Sequence, residues 1–386
     1  MAKPYTSSMK IKHAIIRVLM TVFSICPINR RKIVICNYFG KGYGDNGKAI
    51  AEALLEIQPD LDIVWGADIK FKDSLPQNVR FAQYNSLKYL WELATAAAWV
   101  DNSRKNPGIR KRDKQFYVQT WHGTAALKRI EKDAEDNLDE FYVAAAKNDS
   151  KLANVILSGC RFFTELCKKA FWFDGEILEC GSPRSDALFN VSEDKKLEVK
   201  KRLNVPENKK IVLYAPTFRA DENLECYNID FLAALDALFE KTGDEWVFCI
   251  RLHPNISEKA DFIKYSDKII NATNYPDLYE LIPVCDLVIS DYSSVMFDAG
   301  IINKDVILFV NDIDSYAAER NFYFDVRKLP FPVAENNQEL LDVIKNFDND
   351  KYLKELDYFN TEVVAFCENG TASRTVAERI LKEING

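Results

Sequence analysis

The feature that most constrains this chain is a rhythm in which short apolar, strand-like runs alternate with helical stretches, twice over, around a polar interval. In the first series the strand-like runs are Ile33 to Asn37, Leu61 to Trp65, Val79 to Gln83, Ala98 to Asp101 and Gln115 to Gln119, with helical patterns at Gly47 to Ile57 and from Ser86. The second series runs Ile211 to Ala215, Trp246 to Arg251, Lys268 to Asn271, Asp286 to Ser290 and Asp305 to Val310. Its helices lie near Ile229 to Lys241, Pro276 to Ile282, Ser294 to Ile301 and Gln338 to Phe347. A strand followed by a helix must return by a crossover, so each series predicts a largely parallel sheet covered on both faces. The interval Val191 to Lys210 is Lys/Glu-rich and reads as a helix or linker between the halves. The expected fold is α/β: two doubly wound domains, 33–195 and 196–386, facing each other across a cleft, with the last helix free to cross back to the first domain. A length of 386 residues suits two such domains at about 150 residues each.

Composition narrows the class further. With 47% hydrophobic and 28% charged residues, the chain is neither disordered nor a low-complexity scaffold. Nine cysteines without a C-x-x-C pair, most of them in apolar runs, read as thiols of a reducing cytoplasm. Three histidines, His13, His122 and His253, are too few for a His-rich metal centre.

The net charge of −7 is unevenly spread. Residues 1–32 hold Lys3, Lys10, Lys12, Arg17, Arg30, Arg31 and Lys32 and no acid, leaving the remainder at twice that net charge. Between Ile11 and Ile25 runs an apolar stretch of about 15 residues that includes Phe23, short of the roughly 20 that span a bilayer. It lacks an A-x-A-like cleavage site. The expectation is an amphipathic basic helix lying on the anionic inner surface of a membrane, with Lys10, Lys12, Arg17 and Phe23 at the lipid. The alternative is a helix packed on the protein's own core. A second basic cluster, Arg104-Lys105 and Arg110-Lys111-Arg112-Asp113-Lys114, suits phospholipid or an acceptor's diphosphate better than nucleic acid.

In doubly wound sheets, chemistry gathers in the turns after the strands. Four turns stand out. Gly40 to Gly47, a glycine-rich loop ending in Asp45 and Asn46, can approach a ligand closely and cap a helix, but matches neither G-x-G-x-x-G nor a P-loop. Thr120-Trp121-His122-Gly123-Thr124, followed by Lys128, puts an imidazole at a strand end, where a neutral ring can act as a general base. Arg251-Leu252-His253-Pro254 offers a cation and an imidazole for phosphate. Ser290-Asp291-Tyr292-Ser293-Ser294 leads from a buried strand into a helix whose first N–H groups favour an anion. Tyr214 to Arg219 adds the Thr217 hydroxyl and a guanidinium fork.

Together, and in this order, these blocks resemble those of the CDP-glycerol glycerophosphotransferase family of teichoic acid synthesis, over roughly residues 33–384. They include Tyr275-Pro276-Asp277-Leu278 and the Glu319 region before Phe322-Tyr323-Phe324-Asp325. The resemblance implies a GT-B fold of two Rossmann-like domains, peripheral attachment to the cytoplasmic face of the cell membrane, and transfer of glycerol phosphate from CDP-glycerol to a lipid-linked saccharide acceptor with release of CMP. It implies His122 as base, with His253 and Arg251 at the donor phosphates and Ser290, Asp291, Ser293 and Ser294 seating the pyrophosphate. Thr217, Arg219 and Glu319 are further substrate contacts, as are Asp45, Asn46, Gly123, Thr124 and Lys128. No cofactor or metal is required on this reading, and a homo-oligomer is compatible with it. The short arm before the first domain favours a compact, primase-like enzyme. CDP-ribitol-dependent or capsule-linked transfer, a GT-B nucleotide-sugar glycosyltransferase, and a non-catalytic nucleotide-binding membrane protein share the same features.

Overall fold

The computed structural model describes residues 4–189, 191–219, 224, 227–252 and 263–386, with the backbone alone at 318–320. The chain forms two compact units. Unit 1 comprises Met1–Thr124, Ile130–Asp186 and Cys367–Gly386, and unit 2 comprises Ala125–Arg129 and Ala187–Phe366. The division thus falls at Asp186, not at 195, because the turn Pro183–Ser185 belongs to the first unit, where it packs on a helix of that unit.

Unit 1 is built on seven strands: β1 (Asn29–Cys36), β2 (Asp62–Ala67), β3 (Arg80–Gln83), β4 (Ala96–Asp101), β5 (Phe116–Gln119), β6 (Val155–Ser158) and β7 (Glu176–Glu179). They are ordered β3-β2-β1-β4-β5-β6-β7, with every neighbouring pair parallel. Strands β6 and β7, and the helices at Glu140–Leu152 and Arg161–Ala170 that precede and join them, are additions to the elements read from sequence. Strand β7 lies at the edge of the sheet, begins and ends in Glu and is only partly buried, so little apolar signal marks it. Unit 2 carries β8 (Lys210–Tyr214), β9 (Trp246–Ile250), β10 (Ile269–Asn271), β11 (Leu287–Ser290), β12 (Asp305–Phe309) and β13 (Val333–Ala334), ordered β10-β9-β8-β11-β12-β13 and again all parallel. Both orders are the doubly wound one, reversing direction once, between β1 and β4 and between β8 and β11.

Each sheet buries near-continuous apolar strands, as sheets covered on both faces must. One core of unit 1 is centred on Ile33, Ile35, Ile63, Trp65, Val100 and Val118 and takes in Val376, Ala377, Ile380 and Ile384 from the C-terminal helix Ala372–Asn385. The core of unit 2 gathers Val212, Tyr214, Phe248, Ile250, Ile289 and Ile307.

The N-terminal arm is helical over Ser7–Phe23 (α1), started by Thr6, whose hydroxyl accepts the Met9 N–H. It is not a separate module: Met20 is buried, and Ile16, Leu19 and Phe23 pack beside it on Val34, Leu90 and Trp99. Phe23 therefore faces the protein and not a lipid surface, and the Arg17 guanidinium is committed to the Pro107 carbonyl (3.2 Å). The opposite face leaves Ile11, Ile15, Val18 and Val22 exposed, spaced 4, 3 and 4 residues apart along one stripe. The basic cluster divides likewise. Arg104 and Lys105 are buried in ion pairs, while Arg110 and Arg112 donate to Thr21 Oγ and the Cys26 carbonyl at the end of α1. Among the described residues no helix is long and apolar enough to cross a membrane.

Candidate active site

In a doubly wound sheet the loops diverge where strand order reverses, which opens a crevice at the carboxyl ends of the two central strands. In unit 1 that point lies between β1 and β4. The chain leaves β1 through Asn37 to Gly44, with Tyr38 and Phe39 at φ of 41° and 58° and Gly40 at 91°. A Cβ at Gly40 would stand 2.8 Å from that of Tyr84, so both the dihedral and the space demand glycine there. The loop delivers the chain into helix α2 (Asp45–Ile57).

Asp45 is surrounded. Its carboxylate accepts from Tyr38 Oη (2.8 Å), Asn102 Nδ2 (3.0 Å) and Arg184 Nη1 (2.8 Å). Burial alone would push its pKa up, but the Arg184 charge and these hydrogen bonds more than offset that and hold it below the ordinary carboxylate value. Asn46 is equally committed: its Oδ1 accepts the Arg184 N–H (3.0 Å) and its Nδ2 donates to the Trp121 carbonyl (3.1 Å). Neither side chain is the free ligand contact expected of it; both tie loops together.

What they tie down is the turn after β5. Trp121 sits in the left-handed region (φ 54°), an uncommon place for a bulky residue. Gln119 Oε1 accepts its N–H (3.0 Å), and Asn46 and Thr120 Oγ1 both donate to its carbonyl. Its ring stacks on His122, centroids 4.3 Å apart. The His122 Nδ1 lies 2.9 Å from the Asn102 carbonyl oxygen. A carbonyl only accepts, so Nδ1 carries the proton and Nε2 keeps the lone pair. Burial lowers the pKa of the ring, against smaller opposing effects from the Asn102 bond and the Asp45 charge, so the neutral form prevails at pH 7. Thr124 is fully buried, its carbonyl accepting from the Cys160 thiol, while Gly123 is half-buried. Lys128 belongs to unit 2, where it pairs with Phe322 in an antiparallel bridge and lays its ammonium 5.2 Å from the Tyr316 ring centroid.

Unit 2 shows the same logic at its own reversal, between β8 and β11. Asp291 accepts from the Thr217 N–H (2.9 Å), from the Thr217 hydroxyl and from Arg219 Nη1 (2.9 Å). Arg219 also grips Asp312 (2.6 Å) and is packed against the rings of Tyr292 and Tyr316, which stack at 4.1 Å. Ser290 Oγ donates to the Ala215 carbonyl (2.8 Å). Of these, Ser290 and Asp291 are expected from the sequence to seat the pyrophosphate, and Thr217 and Arg219 to make further substrate contacts. Asp291 cannot receive an anion, the Ser290 hydroxyl is bonded inside the sheet, and Arg219 already faces two carboxylates. They form the foundation of the site, and physical chemistry favours that use because a buried guanidinium needs counter-charge.

Arg251 is different. It follows β9, and its guanidinium donates to the carbonyls of Tyr275 and Ala272. Among the described residues no carboxylate forms an ion pair with it. Burial pulls its pKa down, with Asp277 acting in the opposite sense, the signature of a cation short of counter-charge. Ser294 stands at the N-cap of the helix Val295–Ile301 without a side-chain capping bond, and the Val295 N–H is 3.4 Å from Ser293 Oγ. His253 and the Glu319 side chain lie outside the described residues. No group of three or more His, Cys, Asp or Glu among the described residues is arranged to hold a metal ion.

Sequence reasoning missed Asn102, Arg184, Tyr38 and Asp312. Arg184 stands in a Gly-Ser-Pro-Arg-Ser turn visible in the sequence, but nothing local joins it to Asp45, 139 positions away.

The profile of the family described as CDP-Glycerol:Poly(glycerophosphate) glycerophosphotransferase matches residues 18–382. The chain is 34% identical over 373 residues to the teichoic acid poly(glycerol phosphate) polymerase of Staphylococcus epidermidis, covering 92% of this chain and 51% of that one, so it spans about half of that relative's length. Against the teichoic acid poly(glycerol phosphate) polymerase of Bacillus spizizenii it is 31% identical over 390 residues, covering 97% and 98% of the two chains. Its structure matches that of a histidine-to-asparagine variant of the wall teichoic acid polymerase TagF soaked with CDPG, at a TM-score of 0.84 and 30% identity, covering 98% and 97%.

Proposed function

The chain belongs to the CDP-glycerol:poly(glycerophosphate) glycerophosphotransferase family, and on that premise we propose that it transfers glycerol phosphate from CDP-glycerol to a hydroxyl of a lipid-linked saccharide. His122 Nε2 takes the proton of the acceptor hydroxyl, whose oxygen bonds to the β-phosphorus; the bond from that phosphorus to the bridging oxygen breaks, and CMP leaves with the electron pair. Arg251 meets the charge that gathers on the phosphoryl oxygens. The observation that carries this reading is the His122 ring, with Nδ1–H given to a main-chain carbonyl and Nε2 left as the basic atom. We assign the reaction no resident cofactor; turnover persisting after EDTA treatment checks that.

On the same reading the two α/β units are a GT-B pair, with the base in unit 1 and the donor cation in unit 2. The enzyme works at the cytoplasmic face of the membrane, where its acceptor is anchored. The exposed stripe of α1 and Arg110, which donates to Thr21 on that helix, suit that surface. Length does not separate primase-like addition from polymerisation, since the B. spizizenii polymerase is matched nearly end to end.

The test is to incubate the protein with CDP-glycerol, CDP-ribitol or a UDP-sugar and a lipid-linked acceptor analogue, and to weigh the products. CMP and an acceptor heavier by one or more glycerol phosphates are expected, the number of units giving the mode of addition. UDP release with sugar transfer, or donor binding without turnover on any acceptor, overturns the proposal.

A further inference from the structure

We propose that Asp45, paired with Arg184, is a positioning residue for His122, fixing the ring's proton through Asn102 and the backbone beside it through Asn46. This rests on the reading of His122 as the base.

Two lines of hydrogen bonds run from the ion pair to the imidazole. Along the first, Asp45 Oδ1 accepts from Asn102 Nδ2 (3.0 Å), and the Asn102 side-chain oxygen accepts the Tyr38 N–H (2.7 Å) and the Ser103 hydroxyl (3.1 Å). Asn102 is thereby held at both ends of its amide, and its carbonyl takes the His122 Nδ1–H. Along the second, the Arg184 N–H donates to Asn46 Oδ1, and Asn46 Nδ2 reaches the Trp121 carbonyl, one residue before His122. Asp45 and Trp121 both occupy the left-handed region, at φ of 55° and 54°. Strain at the two ends of one network persists only where surrounding bonds over-determine it.

The pair also balances charge at the ring. The charged groups that act on the imidazole are Asp45 and Glu131, which favour the imidazolium, and Arg184, which opposes it. Glu131 has its own counter-ion in Arg104 (2.8 Å). A carboxylate in direct contact would raise the ring's pKa and cost neutral base at pH 7. A peptide carbonyl, held by a carboxylate that is itself neutralised, orients the ring without that cost.

Opposite charge changes must then move the ring in opposite directions. Asp45→Asn leaves Arg184 unbalanced, so the imidazole pKa falls and the acid limb of the pH–rate profile moves down. Arg184→Gln leaves Asp45 unbalanced, so both move up. In each variant kcat falls roughly 10- to 100-fold from lost orientation, while the KM for CDP-glycerol stays within about threefold. The direct measurement is NMR of the imidazole nitrogens in the full chain. It contains three histidines, and the His122 signals are those that vanish in His122→Gln. The wild-type ring should be the Nδ1–H tautomer, and Asn102→Ala, which keeps the carbonyl and both charges, should mix the two tautomers. An Nε2–H tautomer in the wild type overturns the proposal even if the charge variants fail to fold, as do pKa shifts of the same sign in Asp45→Asn and Arg184→Gln. Full turnover in His122→Gln defeats the reading of His122 as base, an outcome separate from the NMR result.

Discussion

At the scale of single residues, two side chains that share a protein surface with many others differ from them in what they lack. The His122 ring has one nitrogen committed and one basic; Arg251 is bonded to carbonyls and forms no ion pair with a carboxylate among the described residues, Asp277 acting on it only at longer range. Truncating His122 to Ala should lower turnover by roughly 100-fold or more with donor affinity little changed, the scale of a lost general base, as steady-state kinetics with calorimetry of CDP-glycerol would show. Arg251→Ala should weaken CDP-glycerol binding by about 10- to 100-fold, the range of a lost charge-assisted hydrogen bond. If calorimetry finds the affinity unchanged, the donor phosphates sit elsewhere. Arg219→Ala has a different signature. It strands Asp291 and Asp312 without their shared cation, so it should lower the melting temperature as well as activity.

At the scale of an element, α1 has two apolar faces, one packed on unit 1 and one exposed. Met20 is buried and its change to Ala should cost about 2 to 5 kcal/mol of unit 1 stability, readable in a denaturant titration. Val18 is 62% exposed, so Val18→Asp should leave stability within about 0.5 kcal/mol while releasing the protein from anionic liposomes. Equal sedimentation of Val18→Asp and wild type would remove the stripe from the membrane reading. The helix carries a pH dependence too. His13 is packed against Tyr5 and Phe141, and burial first, then the Lys12 charge, depresses its pKa below the ordinary 6.5. A depressed pKa favours the folded form above the unfolded value and loses that contribution as pH falls toward the folded one. Hydrogen exchange over 7–23, corrected for intrinsic rates, should therefore accelerate below about pH 6.5, and His13→Phe should abolish the change.

At the scale of the whole molecule, unit 1 is completed by the far end of the chain. Asp186 accepts the N–H groups of Ala372 and Ser373 at the start of the C-terminal helix, and Glu176 takes a two-pronged bond from Arg379 (2.8 Å each). Val376, Ile380, Leu381 and Ile384 fill the core. At roughly 1.5 to 3 kcal/mol per buried side chain, losing them approaches the stability of a domain. Deleting 372–386 should abolish cooperative unfolding of unit 1, followed by its tryptophans, while unit 2 still melts cooperatively. A truncated chain that kept both transitions would show the helix to be dispensable.

Much of this was legible before folding. Apolar runs alternating with helical ones dictate parallel doubly wound sheets, because hydrophobic period and crossover length are local properties of the chain. The motifs around His122 and Arg251 could be found by the same means, since a turn at the end of a strand is also local. What each polar residue does there was not. Asp45, Asn46, Ser290, Asp291 and Arg219 have the chemistry of ligand contacts, and the sequence offers no means of seeing that Arg184, the Ala215 carbonyl, Thr217 or Asp312 already satisfies them. The edge strand Glu176–Glu179 escapes because it begins and ends in Glu and is only partly buried, which leaves little apolar signal. Phe23 was assigned to lipid because an apolar run does not say which of its faces the protein itself covers. A hydrogen bond or an ion pair across 139 positions depends on where the backbone places its two ends, and only the tertiary structure decides which polar groups are satisfied within the protein and which remain for a substrate.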